Sequence, residues 1–347
     1  MHHSEATGGH AETAGGWRRR GAGCMIGVMN TRLTIWCLLA LSVLSGASAQ
    51  SSSLVIYGLK GPSGVGMIRL FEQPPRYPGV TITVESLAQA DLMAARFISG
   101  GAKVGILPPN MAAKIASAGT GIQIAAVLGT GMLSLLTSDT AVRRVEDLRG
   151  KTVAVAGQGA TPEYVFRRIL RSKGIKPDTD IGLDFSLAYP EIARSLIAGR
   201  IATALIPEPF ATIARTGKPD LRQVGDIQAE WIRAGGNGNY PMIALVVDTR
   251  FAAKETALLE TVLRAFKDSV DWVTANPDQA GLLVEKHGLG IRARDAAAAI
   301  PRSNYVFIPA REARPGLEAL YKAFLEFSPQ AIGSRLPADD FYLSFPY

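Results

Sequence analysis

From Leu54 onward the apolar positions fall into short runs, each followed by a Gly- or Pro-marked turn and then by a helical stripe. LVIYGL (54–59) reads as a buried strand, and GPSGVGMIRLFEQ (61–73) as a Gly-rich turn running into a helix. VTITVES (80–86) alternates as a second strand does. Between Gln89 and Ser99 the spacing turns helical, with Leu92, Met93 and Phe97 on one face and Gly100-Gly101 as the stop. VGILPPN (104–110) predicts a third strand ended by two prolines, with Asn110 placed to cap a helix through Ala118. IQIAAVLG (122–129) is a fourth strand.

The same theme returns further on. KTVAVAG (151–157) is a strand, and Thr161-Pro162-Glu163 is a helix start: Thr161 as N-cap, proline in the first turn, then an acid near the positive end of the dipole. Val165, Phe166, Ile169 and Leu170 supply the buried stripe, and Gly174 closes it. IGLDF (181–185), a helix from Pro190 to Ala198 and IATALI (201–206) complete a second array. After the Gly-rich GGNGNY (235–240) comes one more apolar strand, PMIALVV (241–247).

Two β-loop-α arrays joined at two points predict two α/β lobes. The crossovers fall near Leu128–Leu136 and Asn237–Ile243, so one lobe holds 50–130 plus 243–347 and the other 131–242. From about Glu255 the tail reads as helical, with Leu258, Val262 and Phe266 in one row, and it belongs back on the first lobe. Paired connections make a hinge, and the cleft between the lobes is the expected binding site.

Ahead of this pattern lies an export signal. Arg32, an apolar run from Leu33 to Leu44 and the small-x-small site Ala47-Ser48-Ala49 predict a signal peptide spanning 1–49, cleaved after Ala49. The run is shorter than the about 20 residues a bilayer span needs. Residues 1–28 are polar and Gly-rich, and Met29 would give the signal an ordinary length. Arg18-Arg19-Arg20 lies too far from the apolar run for a twin-arginine signal. Cys37 follows Trp36 and does not suit a lipoprotein anchor. An exported, unanchored chain points to the periplasm of a cell with an outer membrane.

Cleavage narrows the chemistry. Cys24 and Cys37 lie upstream of Gln50, as do His2, His3 and His10, which leaves His287 alone. That argues against a disulfide, a His/Cys metal site and a cysteine nucleophile. His287 itself reads as a helix C-terminal residue before the capping Gly288. Losing four arginines and two glutamates takes the formal charge from +7 to +5, and the remaining basic residues are scattered singly among acids, a poor pattern for nucleic acid. The expectation is binding without catalysis, with neither cofactor nor metal.

GKTVAVAGQGATPEYVFRRIL, AGRIATALIPEPFATIA and NGNYPMIAL resemble the solute-binding proteins of nitrate/sulfonate/taurine-type ABC importers, which share their fold with thiamine-pyrimidine precursor binders. The resemblance covers Leu54 to about Leu343. It implies a type II periplasmic-binding fold, a small-molecule ligand held between the lobes, and a permease and ATPase of the inner membrane as partners; a monomer suits such a diffusing receptor. Ligand contacts in this family come from loops at strand C-terminal ends. Here those carry Gly61, Pro62, Ser63, Gly64, Gln89, Pro109 and Asn110 in one lobe, and Gln158, Gly159, Ala160, Thr161, Tyr189 and Glu208 in the other. Free backbone N–H groups at helix starts favour hydrogen-bond-accepting or anionic groups, and the polar side chains add direction.

Several of these positions also have structural readings. Ser63 and Thr161 can serve as caps, Tyr189 as a core aromatic, and Glu208 as a helix-start acid. A carboxylate in the cleft opposes a bare sulfonate or nitrate unless it points away or is paired. No Arg or Lys lies inside the loops, and Lys60 and Arg69 only flank the first. An organic anion held by backbone N–H groups and a polar heteroaromatic compound of the vitamin-precursor kind therefore both stay open. Two other readings stand beside the importer component. One is an enzyme on the same scaffold, such as a pyrimidine-precursor synthase, whose His- and Cys-rich sites this chain lacks after cleavage. The other is a ligand-sensing receptor for a signalling kinase.

Overall fold

The computed structural model describes residues 52–344, so the export signal and its cleavage site lie outside the described residues. In chain order the strands are β1 (Ser52–Leu59), β2 (Val80–Leu87), β3 (Val104–Leu107), β4 (Ile122–Thr130), β5 (Leu133–Thr137), β6 (Thr152–Val155), β7 (Gly182–Asp184), β8 (Thr203–Pro207), β9 (Arg222–Gln223), β10 (Pro241–Asp248) and β11 (Tyr305–Pro309). They form two sheets, ordered β2-β1-β3-β10-β4-β11 and β7-β6-β8-β5-β9. The fold is mixed α/β, as the alternating pattern predicts.

Both sheets are built to one plan. Three parallel strands in second-first-third order (β2-β1-β3 and β7-β6-β8) are followed by one antiparallel strand, β10 or β5. In each sheet the antiparallel strand is the one the chain enters from the other sheet. β3, β5 and β8 are buried along their whole length and β4 nearly so, which is why they read as unbroken apolar runs. Exposure alternates along β2, because an edge strand has one wet face.

Gly131-Met132 carries the chain from β4 to β5, and the segment 234–240 brings it back to β10. The two crossings are bonded together. Gly131 N–H donates to the Tyr240 carbonyl at 2.9 Å, and Leu133 N–H donates to the Tyr240 hydroxyl at 3.2 Å. Tyr240 is fully buried and meets Trp231 edge-on, with ring centroids 5.9 Å apart. A Cβ on Gly236 would lie 2.1 Å from the Trp231 indole nitrogen, so glycine there is a packing requirement.

The tail packs on the first sheet through the helix Thr256–Ala275, whose buried row includes Leu258, Val262 and Phe266. It is not wholly helical, however. β11 pairs antiparallel with β4 at the sheet edge, a five-residue strand too short to stand out among helical neighbours. The helix Ala310–Phe327 then runs against the helix Thr161–Ser172, where Phe324 and Tyr164 rings lie 4.4 Å apart and Glu326 pairs with Arg171. Leu92 departs from expectation too. It is 51% exposed, and the inner face of the helix Ala90–Ile98 is Met93, Ala94 and Phe97.

Candidate functional site

Strand direction places the predicted loops. β1, β2 and β3 end at one edge of the first sheet, and β6, β7 and β8 at one edge of the second. In each sheet the strand order reverses around its first strand, which leaves a crevice beyond the carboxyl ends. Asn110, just after β3, joins the two edges: its Nδ2 donates to the carbonyl of Gly159, after β6, at 3.2 Å.

The loop after β1 is fixed by its glycines. Gly61 sits at φ 79°, and a Cβ on Gly64 would lie 2.2 Å from the Leu59 carbonyl. Gly61 N–H donates to Leu289, and the Pro62 carbonyl accepts from the Tyr305 hydroxyl at 2.9 Å. The chain then forms two short helical turns, Pro62–Val65 and Arg69–Glu72, and not the single helix the sequence predicts. Ser63 is half-buried and makes no side-chain hydrogen bond among the described residues. Gln89 is exposed at the N-cap of its helix, also without a side-chain bond.

Asn110 is not a cap. Its helix runs Pro109–Ser117 with Pro108 at the N-cap, and Asn110 lies within the first turn. The buried Pro109 presents its carbonyl to the Tyr321 hydroxyl at 3.0 Å. Asn110 is 8% exposed, and its Oδ1 has no hydrogen-bond partner among the described residues.

Opposite stands the loop Gly157–Thr161. Gly157 (φ 84°) and Gly159 (φ 77°) turn it, and Glu163 holds it by accepting from Gly159 N–H at 2.7 Å while pairing with Arg167. Glu163 thus fills the anchoring role expected of Thr161. The N-cap is Ala160, and the Thr161 hydroxyl, 3% exposed, has no partner among the described residues. Gln158 points to an exposed position. Tyr189 starts its helix and stacks on Phe210 at an interplanar angle of 27°, with centroids 5.9 Å apart. Its hydroxyl closes on Gly157, where a Cβ would come within 2.8 Å of it, and burial raises its pKa to about 12.

Glu208 is buried at 2% exposure and both its oxygens are taken. Oε2 accepts from Thr212 N–H at 2.9 Å, so the residue caps the helix Phe210–Gly217, and Oε1 pairs with Arg215 Nη2 at 2.8 Å. The Thr212 hydroxyl lies against the same carboxylate without a bond of regular geometry. Burial pushes the Glu208 carboxyl above the usual range, opposed by Thr212 and by the charges of Arg215 and Arg302. The helix-start role that the sequence allows for Glu208 is present, and its carboxylate is paired with Arg215.

Sequence reasoning missed Arg215, Arg302 and Tyr305. Arg215 had a findable signal, seven residues past Glu208 on the helix that Glu208 caps. Arg302 and Tyr305 had none, since they enter through β11 and the 3₁₀ turn before it.

Known proteins share this architecture. The NMT1/THI5-like family model matches residues 79–280. No curated protein sequence matches the chain. An ABC transporter structure from Parabacteroides distasonis superposes with a TM-score of 0.70 at 22% identity, over 84% of this chain and 99% of that one. The periplasmic aliphatic sulphonate binding protein SsuA of Escherichia coli gives 0.67 at 19% identity, over 81% and 94%. The periplasmic nitrate-binding protein NrtA of Synechocystis PCC 6803 gives 0.53 at 12% identity, over 71% and 69%.

Proposed function

The chain belongs to the NMT1/THI5-like family, and on that premise we propose that it is the periplasmic solute-binding component of an ABC importer. It captures a small organic solute between two lobes, 50–130 plus 243–347 and 131–242, and delivers it to a membrane permease. The crossings at Gly131-Met132 and 234–240 serve as the hinge. Export relies on the signal at 1–49, and the protein acts by binding and closing, without turnover.

One observation carries this reading. Asn110 Oδ1 and the Thr161 hydroxyl are buried polar atoms without partners among the described residues, one from each sheet edge, on the two loops that the Asn110–Gly159 bond joins. Leaving such a group unpaired costs about 1–3 kcal/mol, so a partner is owed to each. A solute lying between the edges meets both at once, with Gly159 and Ala160 supplying backbone and Tyr189 a flat apolar wall.

Mass spectrometry of the native, untreated protein should find a co-purified solute. Protein stripped by unfolding and refolding should regain stability with that compound, by about 2.7 kcal/mol at 100 times its Kd. Chemical conversion of the solute, or failure of every nitrate, sulfonate, taurine, aromatic carboxylate, pyrimidine and flavin probe to shift melting, would overturn the proposal.

A further inference from the structure

Where β8 ends and β5 begins, a small cavity of about 130 Å³ opens beside Glu208. Ser134, Gln228, Arg215 and Arg302 line it with Glu208. Its charges do not cancel. Glu208 is the one acid among the lining residues, and its oxygens are committed to Arg215 and Thr212 N–H. The Arg302 side chain makes no ion pair or hydrogen bond among the described residues, which leaves one surplus positive charge. The Ser134 hydroxyl and the Gln228 side-chain amide are likewise without hydrogen bonds among the described residues, and both residues line the same space.

We propose that this cavity is a subsite for the anionic end of the solute, a carboxylate or sulfonate held by the Arg302 guanidinium with donors from Ser134 and Gln228. The inference rests on the solute-binding reading and narrows it, from a choice between organic anions and neutral rings to the anions. Glu208 would then not repel such a group, since its charge is already matched by Arg215. Tyr305, tied to Pro62 in the loop after β1 and close enough for the Glu208 charge to raise its pKa further, brings the subsite against the first sheet's edge. Because Arg302 is exposed, the hold on a bare anion is weak and falls with salt.

Stripped full-length protein is titrated at low ionic strength with methanesulfonate, acetate and the uncharged dimethyl sulfone, following the melting temperature. The two anions should raise it and dimethyl sulfone should not. Arg302→Gln should weaken the anion effect about threefold to fivefold, as expected for loss of an exposed charge pair, and Arg302→Lys should restore part of it. Equal stabilisation by dimethyl sulfone, no response to either anion, or an unchanged response in Arg302→Gln would each overturn the subsite. Native mass spectrometry separates this from the broader reading: a neutral co-purified solute refutes the anionic subsite and keeps the receptor, whereas no bound solute from any source refutes the receptor itself.

Discussion

Asn110 and Gly159 stand 49 positions apart in the chain and follow strands of different sheets, yet the Asn110 side-chain amide donates directly to the Gly159 carbonyl. The same side chain therefore ties the two loops together with its nitrogen, while its oxygen has no hydrogen-bond partner among the described residues. Asn110→Asp replaces the donor with a carboxylate facing a carbonyl. Urea unfolding at neutral pH should show a loss of about 1–3 kcal/mol. Asn110→Ala should lower affinity for the co-purified solute about tenfold; unchanged affinity in isothermal titration would remove Asn110 from the site.

Glu208 gives a pH signature. Burial raises its folded pKa above its ordinary value near 4.5, so its stabilising contribution is complete below that value and is lost as pH rises through the folded pKa. Other carboxylates shift oppositely. Lys151 lowers Asp139 and Arg311 lowers Asp339, and their contribution is present above the ordinary value near 3.8 and lost as pH falls through their folded pKa values. Wild-type stability should thus weaken in acid and again above about pH 4.5 from Glu208 alone. In urea titrations from pH 3 to 8, Glu208→Gln should gain relative to wild type as pH rises past 4.5; a constant difference would contradict it.

Gly157→Ala tests the loop after β6. The residue is at φ 84°, and its new methyl would meet the Tyr189 hydroxyl at 2.8 Å. A melting-point loss equivalent to about 1–3 kcal/mol is expected. In a Tyr189→Phe background the penalty should shrink by roughly 0.5 kcal/mol or more, because the clash is with the oxygen that substitution deletes.

Tyr240→Phe removes the acceptor of the Leu133 amide at the junction of the two crossings. The amide is buried, so about 1–3 kcal/mol of stability should go. Hydrogen exchange should quicken at Leu133 more than at Leu205 on the paired strand β8. Uniform quickening would mean that the bond does not hold the crossing locally.

Most of the fold was legible because buried strands and capped helices leave local marks. The runs at 54–59, 122–129 and 241–247 became strands, 104–110 gave a strand that stops at Leu107 before its prolines, and the Val165-Phe166-Ile169-Leu170 stripe is buried. What escaped depends on partners distant in the chain. Leu92 has helical spacing, but the sheet lies under its neighbours Met93 and Ala94. Thr161 has the chemistry of a cap, yet Glu163 reaches back to Gly159 and displaces it. β11 exists only because the exposed edge of β4 accepts it. Of the candidate site, the loops carrying Asn110 and Thr161 could be located from the sequence, though neither residue is the cap expected of it; the Glu208–Arg215 pair and the charge at Arg302 could not, since pairing and cavity charge arise only when the chain is folded.

The antiparallel strand that each sheet receives from the other half also fixes an order of assembly. Every strand of the second sheet lies between Leu133 and Gln223, whereas the first needs β10 and, at its edge, Tyr305–Pro309. A chain emerging amino end first can finish the inner sheet while the outer one, begun earlier, still waits for its last strands. A truncation that removes Tyr305–Pro309 but keeps β4 and β10 should accordingly leave an orphaned β4 edge, and with it a species prone to self-association.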